Sequence, residues 1–324
     1  MRLKSNPFLS AEQITSVIKI IPSAIPMRLS FERQAIDVVS SGIPQIDAIL
    51  GVGGFPCGRI SEIFGKESSG KTTLALQAAK QVTDKKGLVF YIDGEHALDL
   101  GYLEALKLNQ ELFILDQPSS LEEAYDNMEK FIKETRKLSK DVPLMIIYDS
   151  VASIPPKAEL EGNLETERPG LMARKISQGL RKLVSVIGKN NVCVIFINQL
   201  RERLNVRFGS PETTPGGKSL KFYATIRLDM RQVANKTADK SIESQVRVKN
   251  VKNKIARPFK QVDIFLRHGY GFDAIKSLWQ QAIDEEIIKA IGARSFSYKD
   301  KSISFKQLSL QEDLQQEILA ALTL

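Results

Sequence analysis

The chain has little of what metal chemistry needs. Its 324 residues include only two cysteines and two histidines. Neither cysteine sits in a ligand cluster, which argues against zinc, and so low a count fits a reducing compartment. No run of about 18 apolar residues is present, so no membrane-spanning helix is expected. The opening "MRLKSNPFLS" has no apolar core followed by a small-residue cleavage site, and the expectation is a cytoplasmic protein with no membrane partner. Internal repeats and low-complexity segments are also missing. Acidic residues are in deficit, with 38 Asp and Glu against 46 Lys and Arg, a net charge of +8. That balance favours anionic partners such as nucleic acid and says nothing about fold.

What is present is an ordinary globular composition, 43% hydrophobic, enough for a sizeable core. At roughly 150 residues per domain, the length suggests one large domain with appendages, or two domains. Residues 1–27 read as a leader whose "SAEQITSVIKII" carries a Ser10 cap and apolar Ile14, Val17, Ile18 and Ile21 at helical spacing. That stripe needs a covering surface, in this subunit or a neighbour. From 28 to 271, short apolar runs alternate with helical stretches. The runs "RISEIF", "GLVFYID", "LMIIYD", "VCVIFIN" and "FYATIRLD" read as buried strands, with Cys193 inert inside one of them. The stretches 71–85, 97–108, 120–138 and 171–189 read as helices. Alternation of this kind predicts an α/β fold with a mainly parallel sheet covered on both faces. Residues 201–219 form a long, polar, glycine-bearing loop, a length associated with function or disorder. From 272 to 324 the pattern changes: "FDAIKSLWQQAIDEEIIKAIGA" reads as helical, then come a strand-like piece and a last helix, a small C-terminal α/β domain.

One stretch carries explicit chemistry. In "EIFGKESSGKTTLALQ", Gly65, Gly70, Lys71 and Thr72 satisfy the phosphate-loop spacing, between a strand and a helix. The loop spans Gly65, Lys66, Glu67, Ser68, Ser69, Gly70, Lys71, Thr72 and Thr73. Its backbone N–H groups wrap phosphates, and the helix N-terminus adds positive field. Lys71 reaches the outer phosphates and the Thr72 hydroxyl ligates Mg²⁺. Asp149, ending an apolar strand, is the expected second carboxylate, held to the metal through water. Glu95, ending "YIDGE", is placed to orient and deprotonate water, while His96 reads as structural. ATP binding and hydrolysis follow. A motor, a kinase, a switch and a DNA filament remain open on these residues alone.

Further segments narrow the choice: "GRISEIFGKESSGKTTLALQ", "YIDGEHALD", "DSVASIPPKAELEG", "GLMARKISQGLRKL", "IFINQLRERLNVRFGSPETTPGGKSLKFYATIRLD" and "VKNVKNKIARPFKQ". In that order, from about 28 to 300, they resemble the bacterial RecA recombinases, RecA-like phosphate-loop ATPases. The resemblance implies ATP between adjacent subunits of a helical filament. It places Asp99 and Tyr102 near the adenine and makes Gln199 a sensor of the γ-phosphate. It brings Lys252 and Lys254 to ATP from a neighbour and sets Phe222 at the subunit interface. Six basic and no acidic residues between Ser244 and Val262 agree with the lysine assignment. Two loops, 159–168 and 200–217, would hold DNA. The second carries Arg201, Arg203, Arg207, Phe208 and the Gly216–Gly217 pair, followed by Lys218. Arginines neutralise phosphates, and one aromatic is a wedge rather than a stacking platform. Arg174, Ser177 and Arg181 match phosphate contacts on a helix.

The implied function is a DNA-dependent ATPase. It polymerises on single-stranded DNA, pairs it with homologous duplex and exchanges strands in recombinational repair. Family members also promote self-cleavage of a repressor in the DNA-damage (SOS) response, and loader proteins are further partners. Departures from the family pattern are Arg207, Pro215, His268, a short leader and the ending "LQQEILAALTL" in place of an acidic run. They bear on regulation and duplex capture. Three alternatives compete: a diverged regulatory paralogue without strand exchange, a hexameric helicase and a small-molecule kinase. Intact Glu95, Gln199, Lys252 and Lys254 speak against the first. The "ETTPGGKSLKF" stretch speaks against the second, and the lack of an arginine-rich lid against the third.

Overall fold

A computed structural model describes residues 11–20, 36–162, 170–202, 212–233, 242–292 and 295–322. The chain divides into two units, residues 1–37 and 38–324. In the first, helix α1 spans Ala11–Ile20, with Glu12 in its first turn and Lys19 in its last. Those charges complement the helix dipole. Ser10, Ile21 and the side chains of Ile14, Val17 and Ile18 lie outside the described residues.

The second unit is built on a nine-stranded sheet. Its strands in chain order are β1 (Arg59–Gly65), β2 (Leu88–Asp93), β3 (Phe113–Asp116), β4 (Leu144–Asp149), β5 (Val192–Gln199), β6 (Ile226–Val233), β7 (Glu243–Asn253), β8 (Gln261–Arg267) and β9 (Gly271–Asp273). They lie side by side as β9-β8-β7-β6-β1-β5-β4-β2-β3. The six from β6 to β3 are mutually parallel. The segment β6-β7-β8-β9 runs antiparallel. The expected parallel core is therefore present, extended by a meander that holds the basic 244–262 stretch.

Parallel strands need crossovers on the sheet faces. On one face lie α2 (Pro44–Leu50), α3 (Lys71–Asp84) and α4 (Leu100–Ala105), burying Ile46, Leu50, Leu74, Leu76, Val82 and Leu103. On the other lie α5 (Leu121–Leu138) and α7 (Leu171–Asn190). Leu121, Ala124, Met128 and Ile132 repeat every three or four residues, as do Ile176, Leu180, Leu183 and Ile187. Each such leucine or isoleucine contributes about 1.5–3 kcal/mol by leaving water. Ser120 caps α5 by accepting from the Glu123 backbone N–H at 3.3 Å. A short helix, α6 (Lys157–Leu160), follows β4, and α8 (Ser219–Tyr223) precedes β6. Cys193 is fully buried and faces Cys57 across an isolated bridge. A hydrogen bond that the Cys193 thiol donates to Cys57, and burial, both push its pKa up, which fits the inert reading.

Beyond β9 come α9 (Ala274–Asp284), α10 (Phe305–Leu310) and α11 (Glu312–Ala321), with a small antiparallel sheet of Lys289–Ala290, Phe296–Tyr298 and Lys301–Ile303. They enclose a separate apolar cluster around Leu278, Ile288, Tyr298, Ile303, Leu308 and Ile318. Trp279 meets Phe296 and Phe305 edge-on at 5.1 and 5.8 Å. Three element expectations need correction. The helix expected over 272–293 stops at Asp284, because Glu286 takes a φ of 58° and the Ile288 N–H turns back to the Ala282 carbonyl. The strand expected from Phe222 begins at Ile226, because Phe222 and Tyr223 close α8. The helix expected from 97 begins at Leu100, where Asp99 caps it by accepting from the Gly101 N–H at 2.8 Å.

Candidate functional site

Four parallel strands end together. Gly65 of β1 pairs with Gln199 of β5, and Asp93 of β2 pairs with Asp149 of β4. Their carboxyl ends open into a cleft of about 490 Å³ lined by Gly70, Thr72, Thr73, Asp99, Tyr102 and His268 among others. In open α/β sheets, ligands bind at this edge.

The phosphate loop occupies the turn from β1 to α3. A Cβ on Gly65 would lie 2.1 Å from the Met230 carbonyl oxygen, so only glycine fits between β1 and β6. Gly70 begins α3 at a φ of 81°, left-handed backbone that favours glycine. The Ser69 hydroxyl and the Lys71 ammonium both donate to the Lys66 carbonyl, at 2.8 and 2.7 Å. Lys66, Glu67 and Ser68 are exposed on the outer curve. Burial pulls the Lys71 pKa down, and the carboxylates of Asp149, Glu95 and Glu67 offset part of that. A cation so placed is completed by an anion.

Thr72 Oγ1 donates to Asp149 Oδ2 at 2.7 Å, and the Tyr91 hydroxyl donates to the same oxygen at 2.8 Å. Burial raises the Asp149 pKa, opposed by those two hydrogen bonds. A hydroxyl and a carboxylate oxygen in contact beside a phosphate loop form a hard, oxygen-only donor set, which fits a magnesium-sized ion. Tyr102 and Thr73 share a hydrogen bond of 2.7 Å, so Tyr102 stands against the first turn of α3.

Glu95 lies just past β2. One of its oxygens accepts from Gln199 Nε2 at 2.9 Å and from the Ser150 hydroxyl at 2.5 Å. The expected water-activating carboxylate and the expected phosphate sensor therefore touch. Ser150 was not singled out in the sequence. Tyr91 and Asp93 were missed too, although their spacing of two along β2 places them on one face of the strand. Asp93 is buried and accepts from the Ala97 and Leu98 N–H groups, both at 3.3 Å, fixing the loop that carries Glu95.

The stem of the second loop packs on the helix that carries Arg174, Ser177 and Arg181. Gly216 and Gly217, with φ of 83° and 74°, pack against α7: added Cβ atoms would lie 3.0 Å from Ile176 and 2.9 Å from Ala173. Arg174, Ser177 and Arg181 sit on that helix, with both arginines exposed. Arg201 lies on a two-residue strand paired with Thr213, and exposed Lys218 precedes α8. Arg203, Arg207 and Phe208 lie outside the described residues, as do residues 163–169 of the first loop.

Lys252 and Lys254 are separated from the cleft of their own chain. Both ammonium groups donate to the Phe222 carbonyl, Lys254 at 3.0 Å and Lys252 at 3.2 Å, and Lys252 also donates to the Lys221 carbonyl. Phe222 itself is 69% exposed. Two lysines and an exposed aromatic thus share one patch at the end of α8.

Residues 13–273 match the family described as RecA N-terminal domain. The chain is 41% identical over 309 residues to Protein RecA of Deinococcus radiodurans, covering 91% of this chain and 83% of that one. It is 46% identical to Protein RecA of Geobacter metallireducens, covering 81% and 76% of the two chains. Against Protein RecA of Nitrobacter winogradskyi it is 47% identical, covering 81% and 71%.

Proposed function

The chain belongs to the RecA family, and on that premise we propose a specific division of labour among its residues. The family's function is DNA-dependent ATP hydrolysis in recombinational repair, with DNA binding and filament formation. A regulatory paralogue without strand exchange is not favoured. The nucleotide is ATP and the metal ion is Mg²⁺. The loop from Gly65 to Thr73 takes the phosphates, and Asp99 and Tyr102 flank the base. Thr72 and Asp149 would hold Mg²⁺, which supplies charge neutralisation on the phosphate oxygens. Glu95 takes the proton of the attacking water. Gln199, bonded to Glu95, reports the γ-phosphate to the loop that follows it. Lys252 and Lys254 act in the site of a neighbouring subunit, where charge supplied in trans is worth roughly 10³–10⁵ in rate. Phe222 belongs to the same subunit contact.

DNA lies along both loops, held by Arg174, Ser177, Arg181, Arg201, Arg203, Arg207, Phe208, Gly216, Gly217 and Lys218. Single-stranded DNA enters first and homologous duplex second. We assign an oligomerisation segment to 1–27, the ATPase core to 28–271 and a small α/β domain to 272–324. Among the described residues no helix is long and apolar enough to cross a membrane; a cytoplasmic location, a damage-response repressor and loader proteins complete the reading.

The observation that supports it most is the Gln199–Glu95 hydrogen bond, which joins the proposed base to the proposed sensor. Strand exchange between a circular single strand and a homologous linear duplex tests it. Joint molecules that form with ATP and not with ADP are expected; pairing indifferent to nucleotide contradicts it.

A further inference from the structure

A charged cluster lies beneath the cleft that none of the roles above uses. Glu62, on β1, is fully buried. Arg227 sits opposite it in register on β6 and donates from Nε to Glu62 Oε2 at 2.5 Å. The guanidinium carbon also stands 4.4 Å over the Phe64 ring. The other Glu62 oxygen accepts from Asn198 Nδ2 at 3.0 Å. The same amide donates to the Pro215 carbonyl at 3.2 Å, and its oxygen accepts from the Gln199 N–H at 3.1 Å. Two acceptors on one side and an N–H on the other fix which way the amide points. Asn198 is fully buried as well.

These contacts reach three places at once. Asn198 immediately precedes Gln199. Pro215 immediately precedes the glycine pair that packs on α7. Arg227 pairs across β6–β7 with Lys252. Glu62 attracts the Lys252 charge while Arg227 and Lys254 oppose it. Proline has no N–H to donate, but the contact uses its carbonyl, which any residue supplies.

A buried ion pair is weak evidence for stability, since apolar residues of similar volume often serve as well. The geometry has to be read for what it connects. We infer that Glu62, through Asn198 and Arg227, is a positioning residue that couples Gln199 to the Pro215 stem of the DNA loop and to the strand bearing Lys252. A shift of Gln199 moves Asn198, and Asn198 cannot move without releasing or dragging both Pro215 and Glu62. The inference rests on the sensor role proposed for Gln199.

The test uses the 324-residue chain with Glu62→Met and Arg227→Met together, which removes both charges and leaves the cleft residues intact. Anisotropy of a labelled oligothymidylate gives DNA affinity with ADP and with a non-hydrolysable ATP analogue. Wild type is expected to bind about tenfold or more tighter with the analogue. In the double variant that ratio falls to within about twofold of unity, while the melting temperature stays within about 4 °C and analogue affinity is unchanged. A purely structural role would lower the melting temperature and leave the ratio. A wild-type ratio in the double variant overturns the inference alone. No nucleotide dependence in wild type overturns the functional reading and this inference with it. Should the double variant not fold, Arg227→Lys keeps the charge and loses the Nε geometry; an unchanged ratio there also overturns the coupling.

Discussion

Gln199 Nε2 donates to Glu95 Oε1 at 2.9 Å, across the carboxyl ends of two strands that are not neighbours in the sheet. The carboxylate proposed as base is thus held by the residue that leads into the proposed DNA loop. Gln199→Leu keeps the volume and loses the donor. Nucleotide affinity should change little, whereas stimulation of turnover by single-stranded DNA should vanish. Parallel nucleotide titration and steady-state turnover check this, and retained stimulation would detach Gln199 from the switch.

Lys71 is a buried cation whose pKa burial pulls down. Lys71→Met removes that burden, so the nucleotide-free variant should melt no lower than wild type. Its stabilisation by nucleotide should disappear. At a hundredfold excess over Kd, wild type should gain about 2.7 kcal/mol. Thermal melts with and without ATP analogue and Mg²⁺ measure both.

Lys252 has its pKa lowered first by burial, then by Lys254 and Arg227. Between that lowered value and the ordinary 10.5, the unfolded chain binds more protons than the folded one. Stability therefore gains a contribution as pH rises through this window. Lys252→Met should remove that rise from urea denaturation measured across alkaline pH. The same variant should lower DNA-stimulated turnover by roughly 10³-fold or more.

Gly65→Ala forces a methyl against the Met230 carbonyl oxygen, 2.1 Å from the ideal Cβ position. Overpacking of this kind costs about 1–3 kcal/mol. A lower urea midpoint at unchanged slope is expected. Phe222→Ala, at a 69% exposed position, should leave the monomer's stability within about 0.5 kcal/mol while filaments seen by electron microscopy are lost.

The nucleotide site was legible because its chemistry is local: a phosphate loop, a strand-end aspartate and a strand-end glutamate each sit in one short segment. The parallel core was legible because buried strands read as apolar runs. The contacts that link segments were not. Glu62 looks like an ordinary charged residue in "RISEIF", and only the sheet order places β6 beside β1 and Arg227 opposite it. Ser150 is one hydroxyl among many until β4 ends beside Glu95. The end of α9 was misread because apolar residues continue past Asp284 at helical spacing, while the turn at Glu286 has no sequence mark such as glycine or proline. The convergence of Lys252 and Lys254 on the Phe222 carbonyl depends on α8, which the strand reading of "FYATIRLD" had absorbed.

The most direct test is ATP turnover with and without single-stranded DNA, in wild type and in Glu95→Gln. Turnover strongly stimulated by DNA, and lower by about 10²–10⁴-fold in Glu95→Gln with nucleotide binding retained, is the predicted result. DNA binding without stimulated turnover, or stimulation that survives in Glu95→Gln, would contradict the account.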